Sequence, residues 1–242
     1  MSIYGKLAGA AAGLYMGGPL GALLGSIAGH YFIDKELPYD PDKKPEDQVA
    51  FSIGIIALSA KMAKADGVVT RDEIAAFKQI FKVPPEDSKN VGRLFDRAKQ
   101  SVAGFEAYAG QLAGLFNGRL EVLEDVVDGL FHIAKADGVL HPAELSYLEN
   151  VAIIFGFSAD DFIRIKARHM EPDKRDPYVT LGVSRDESSK YIKHTYRKLV
   201  AENHPDKLMA RGVPEEAIVI ANEKLAAINS AYDEIVKERG LQ

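Results

Sequence analysis

Cysteine and tryptophan are both absent from this 242-residue chain. Without cysteine there is no disulfide framework, no thiolate zinc site and no cysteine nucleophile. A strong excess of either charge is also lacking. The formal net charge is -5, which gives no global drive toward nucleic acid. The third absence is local. Residues 7–33 contain no Asp, Glu, Lys or Arg, and His30 is the only side chain in that run that can carry charge near neutral pH.

A helix over that run is about 40 Å long, enough to cross a hydrocarbon layer of roughly 30 Å once with some tilt, but not twice. Glycine recurs every fourth residue, at Gly5, Gly9, Gly13, Gly17, Gly21, Gly25 and Gly29. In water each glycine weakens a helix by about 1 kcal/mol relative to alanine. In lipid the backbone must satisfy its own hydrogen bonds, so helix is retained. Small residues at spacing four then let a second helix approach closely. The pattern predicts an uncleaved transmembrane helix over residues 1–35, kinked near Pro19, with Gly9, Gly13, Gly17, Gly21 and Gly25 as a candidate dimerisation face. A flexible leader would carry serine and charge, and a cleaved signal peptide has a shorter apolar core. The basic residues, Lys6 before the run and Lys35, Lys43 and Lys44 after it, slightly favour a cytoplasmic carboxyl side.

Residues 36–47 are proline-rich and charged, as a juxtamembrane linker is. From Gln48 onward helical periodicity appears, with Phe51, Ile55, Leu58 and Met62 at steps of three and four. The hexapeptide AKADGV then occurs twice, at 63–68 and 134–139. Asp66 pairs with Asp137, Glu73 with Glu144, and Ile74 with Leu145. Each copy predicts a helix hairpin closed by an Asp-Gly turn, the glycine taking the left-handed conformation that ends a helix. Thr70 and Glu73 form a capping box. In the second copy His141 takes the cap and Pro142 the first helical position. Paired helix connections explain the repeat without a ligand. The alternative is an acidic cation or partner site built from Asp66, Glu73, Asp137 and Glu144. It does not have the ligand spacing of an EF-hand.

After a charged hinge at 170–177 comes a helical stretch with Ile192, Tyr196 and Leu199 on one face. Lys190, Lys193 and Arg197 line another face, with Lys198 beside them. The helix must stop near Asn203-His204-Pro205, because the residue before proline avoids the helical region. A second helix follows the segment 209–212, with a seam of Ile218, Ala221, Leu225, Ile228, Tyr232 and Ile235. Two helices packed through these seams present His204, Pro205 and Asp206 at one exposed tip. A polar tip on a rigid hairpin is a binding feature.

The central stretch, residues 48–170, resembles the TerB-like domain, an all-helical fold of tellurite-resistance proteins. The resemblance rests on the duplicated ADG followed by glutamate. The last stretch, 171–242, resembles the J domain of DnaJ-type co-chaperones. It carries Tyr178, Leu181, Gly182 and Val183 of the YxxLGV start, the basic second helix, the HPD tripeptide, and Asn229, Ala231 and Tyr232 of the third helix. The order of span, TerB-like domain and terminal J domain resembles the DjlA family of membrane-anchored DnaJ-like proteins. The zinc module and glycine-phenylalanine segment of general DnaJ proteins are missing from this sequence.

These resemblances imply an all-α chain without catalytic residues, cofactor or nucleic-acid partner. They imply that His204, Pro205 and Asp206 trigger ATP hydrolysis on a DnaK-type chaperone, and that Lys190, Lys193, Arg197 and Lys198 dock on its acidic surface. They also imply a single-pass protein of the bacterial inner membrane with its bulk in the cytoplasm. The rival expectation is a cation-responsive stress protein acting through the acidic repeat.

Overall fold

The computed structural model describes residues 45–65, 104–136, 138–211, 213 and 218–240. The expected span and its glycine face, most of the linker, and the first copy of the repeat beyond Ala65 lie outside them. Every regular element among the described residues is helical, in agreement with an all-α chain.

Helix α1 runs Pro45–Ala65. It starts at Pro45 rather than Gln48. Proline suits a first helical turn, and Glu46 and Asp47 follow where the helix dipole favours acids. The periodicity of Phe51, Ile55, Leu58 and Met62 suggested one buried stripe. In fact Ile53, Ile56, Ala57 and Ala60 on the other faces are buried too. A helix that is apolar all round belongs inside. α1 is the centre of the first unit, packed by α2 (Phe105–Leu115), α3 (Leu120–Ala134) and α4 (Pro142–Phe155). Gly54 allows α2 to approach, since a Cβ there would lie 2.7 Å from the methyls of Leu112. The Tyr147 hydroxyl donates to the Leu58 carbonyl at 2.8 Å and ties α4 to the same core.

The second repeat copy is the α3–α4 connection. Gly138 is left-handed, with φ of +84°. His141 occupies the N-cap, Pro142 the first helical position, and the His141 amide donates to Glu144 Oε2 at 2.9 Å. α5 (Ala159–Arg168) follows the left-handed Gly156 and is opened by Ser158, whose hydroxyl accepts from the Asp161 amide.

A 3-10 turn at Pro172–Lys174 leads to α6 (Pro177–Leu181), α7 (Ser189–Glu202), α8 (Pro205–Ala210) and α9 (Ile218–Arg239). Tyr178, Leu181, Ile192, Ile228, Ala231 and Ile235 form a small separate core. Helix α9 belongs to both cores. Its later turns pack on α6 and α7, while Ile220 and Ala221 join the large core of the first unit. The seam read from sequence is therefore one of two. Leu225 and Tyr232 are only half-buried, and Ala221 faces the first unit.

Candidate functional site

The tip of the α7–α9 hairpin is built by local chemistry. α7 stops at Glu202, and Asn203 turns its buried amide back to donate to the Leu199 carbonyl at 2.8 Å. His204 is extended and becomes the N-cap of α8. Its Nδ1 accepts from the Asp206 amide at 3.3 Å. Pro205 then occupies the first helical position, where a missing N–H is harmless. Helix α8 was not expected from the sequence, which reads there as an open turn. Its effect is to fix the three residues as the head of a helical turn. The His204 and Asp206 side chains are 55% and 80% exposed, with His204 Nδ1 3.5 Å from Asp206 Oδ2.

Lys190, Lys193, Arg197 and Lys198 are all exposed along α7. Arg197 meets the tip directly. Together with Tyr196, Val200, Ala201, His204, Asp206 and Lys207 it lines an open groove of about 440 Å³. Lys190 and Lys193 lie further along the helix and do not line it. Lys207 is a lining cation that sequence reading passed over, although it directly follows the tripeptide.

Behind the groove the hairpin is braced. The rings of Tyr196 and Tyr232 stack with centroids 3.9 Å apart and 4° between planes. The Tyr196 hydroxyl donates to Asn229 Oδ1 at 3.1 Å. At the opposite end Tyr178 is clasped by Arg185 and Arg239, at 4.4 and 5.2 Å from its ring centroid, and Arg239 Nε donates to its hydroxyl. Gly182, left-handed at φ +66°, turns the chain out of α6.

Of the four acids of the alternative site, Asp66, Glu73 and Asp137 lie outside the described residues. Glu144 is buried and accepts from the amide of the N-cap His141 in the capping box of α4. Among the described residues no cluster of His, Asp or Glu has the makings of a metal site.

Sequence reading also missed a buried ionic cluster. Glu124, Asp125 and Asp128 of α3 meet Arg164, Arg168 and His169 from the α5 end and Lys224 from α9. The available signal was a lysine set four residues from both Ile220 and Ile228, on a helical face that otherwise reads as apolar.

A hairpin with HPD at an exposed helix head beside a basic helix is the architecture of a J module, the mark of a co-chaperone class. Comparison with known proteins is consistent throughout. The family described as "Tellurite resistance protein TerB" matches residues 52–167, "Co-chaperone DjlA transmembrane domain" matches 1–56, and "DnaJ domain" matches 176–239. A co-chaperone protein DjlA of Photobacterium profundum is 30% identical over 99% of this chain and 100% of its own length. That of Aliivibrio fischeri is 30% identical over 81% of each chain. That of Yersinia pestis is 28% identical over the whole of both. No solved structure matches. The chain belongs to the DjlA family of J-domain co-chaperones, and the match at its amino end makes it membrane-anchored. Among the described residues no helix is long and apolar enough to cross a membrane, and residues 1–44 lie outside them.

Proposed function

We propose that this chain stimulates ATP hydrolysis by a DnaK-type chaperone, with His204, Pro205 and Asp206 as the trigger and Lys190, Lys193, Arg197 and Lys198 as the docking face. The observation that carries this reading is the exposed His204 and Asp206 at the head of α8, which share one groove with Arg197. Surface cations steer encounter and orientation. A fixed polar tip then favours one conformation of the partner over another. Hydrolysis takes place on the partner, so this chain is a regulator and needs no cofactor.

In this reading residues 1–35 cross the bacterial inner membrane once and 36–47 link the anchor to the body. Residues 48–170 form the TerB-like domain and 171–242 the J module, with the bulk in the cytoplasm, where a DnaK-type chaperone and ATP are found. Tethering raises the local concentration of the J module near clients at the membrane, in folding or in stress signalling. The glycine face at Gly9, Gly13, Gly17, Gly21 and Gly25 pairs two copies.

The test is ATP hydrolysis by a purified DnaK-type chaperone with the full chain in detergent. His204→Gln should remove all stimulation above the rate of the chaperone alone, with far-UV circular dichroism unchanged. Undiminished stimulation by a folded His204→Gln protein refutes the proposal.

A further inference from the structure

The connection between the two units, residues 169–176, is short, yet a short linker alone leaves domains free to reorient. Here the faces between them are built to prevent it. Helix α3 presents Glu124, Asp125 and Asp128 on one side, followed by Gly129. Asp125 and Asp128 are both 0% exposed. Helix α9 crosses this side and inserts Lys224, itself 5% exposed. The ammonium lies 3.0 Å from Asp125 Oδ1, 3.0 Å from Glu124 Oε1 and 3.1 Å from Asp128 Oδ2. It donates a hydrogen bond to Asp125 and forms ion pairs with the other two.

The first unit supplies guanidinium partners for two of those acids. Arg164 and Arg168 both reach Glu124, and Arg168 also reaches Asp128, with His169 Nε2 2.7 Å from Asp128. Asp125 has no such partner. Among the described residues Lys224 alone bonds it, and its Oδ2 has no partner there. Without Lys224 two buried acids and the part-buried Glu124 face two guanidinium groups. The pocket is electrically complete only when α9 is seated.

Shape fits the same seat. A Cβ on Gly129 would lie 2.9 Å from Ile55 Cδ1 and 3.0 Å from Ile220 Cδ1, so the glycine is the notch that receives Ile220. At the rim, Glu223 bridges His132 Nδ1 at 2.8 Å and Lys135 Nζ at 3.3 Å. An apolar contact tolerates sliding, whereas a buried charge satisfied at three points has one register.

We infer that Lys224 is a positioning residue: seated in the Glu124–Asp125–Asp128 pocket, it locks the hairpin that carries His204-Pro205-Asp206 onto the central unit in a single orientation. The lock stands independently of the partner, while its use in aiming the tip rests on the proposed function. The tip is thereby held at a fixed bearing to the membrane-anchored body. The first turns of α9 are spent on this internal contact and are closed to outside partners.

The chain has no cysteine, so Glu149→Cys on α4 and His194→Cys on α7, both exposed, can carry a pair of spin labels. Pulsed dipolar spectroscopy on the full chain in lipid nanodiscs, diluted with unlabelled chain, reads the distance between the two units without any chaperone present. The parent should give one narrow peak. Lys224→Gln should spread it into a broad distribution. Adding Asp125→Asn to Lys224→Gln should restore the narrow peak, because two acids then face two guanidinium groups and the amides can pair. Should Lys224→Gln fail to fold, Glu124→Gln decides: it removes a carboxylate that Lys224 meets at 3.0 Å and leaves a cation in excess, so it should broaden the peak. A narrow peak in a folded Lys224→Gln protein overturns the inference. So does a double variant no narrower than a folded Lys224→Gln, or, where that variant does not fold, a narrow peak in Glu124→Gln.

Discussion

Asp128→Asn keeps the shape of the side chain and removes its charge. The carboxylate accepts from Arg168 Nη2 at 3.0 Å and lies 2.7 Å from His169 Nε2 and 3.1 Å from Lys224 Nζ. An amide offers one oxygen, and its NH2 group would face donors. The Asp128 and Arg168 side chains are 1% and 2% exposed, so water does not replace what is lost. Removing one partner of a buried ion pair costs about 3–5 kcal/mol. With a urea slope of about 2 kcal/mol per M, the unfolding midpoint should fall by roughly 2 M. Glu238→Gln is the control. Its pair with Arg185, at 2.9 Å, is about half-exposed and is worth about 0–1 kcal/mol.

The acid limb gives a second reading of the same variant. Burial alone would raise the Asp128 carboxyl, but Arg168 and Lys224 hold it well below the usual range. A lowered folded pKa gives stability that is present above the ordinary value and lost as pH falls through the lowered one. Asp128→Asn has nothing to protonate there, so it should lose less stability on acidification than the parent. The assay is urea unfolding of the full chain in detergent, followed by circular dichroism. A midpoint shift under about 0.5 M would refute the energetic weight given to this cluster.

Three further outcomes are expected. Burial pushes the Asp125 carboxyl up to about 6 despite the ammonium of Lys224, which is shared among three carboxylates. The folded state therefore holds an extra proton between about pH 4 and 6, and this residue makes stability fall as pH rises there; Asp125→Asn should remove that downward contribution, as urea titrations across the window would show. Gly129→Val should crowd Ile55 and Ile220 and cost about 1–3 kcal/mol, which Ile220→Ala should partly relieve; equal costs in both backgrounds would contradict the notch. Reversing Lys190 and Lys193 to glutamate should slow association with a DnaK-type chaperone mainly at low salt, while leaving the tip folded; a salt-independent loss would speak against steering.

Much of the carboxyl-terminal module is legible in sequence because its determinants are local. His204-Pro205 ends one helix, and Ile192 and Ile228 follow helical spacing. The all-α architecture is legible for the same reason. What is not legible is which faces meet. Lys224 and Asp125 are 99 positions apart, and periodicity assigns a lysine to solvent by default. The second buried face of α9 and the all-round burial of α1 likewise depend on long-range packing, which overrides a single amphipathic stripe. Helix α8 escaped because its six residues are too few to show a period. Its start was signalled by His204 as cap and Pro205 behind it.

The central claim is that the carboxylate at the head of α8 acts on a nucleotide-driven partner. Its most direct measurement is single-turnover hydrolysis of ATP preloaded on a DnaK-type chaperone, with the full chain as parent or Asp206→Asn. The parent should accelerate the turnover, and Asp206→Asn, with its helices intact, should leave it at the unstimulated rate. Equal acceleration by the two proteins would contradict the account.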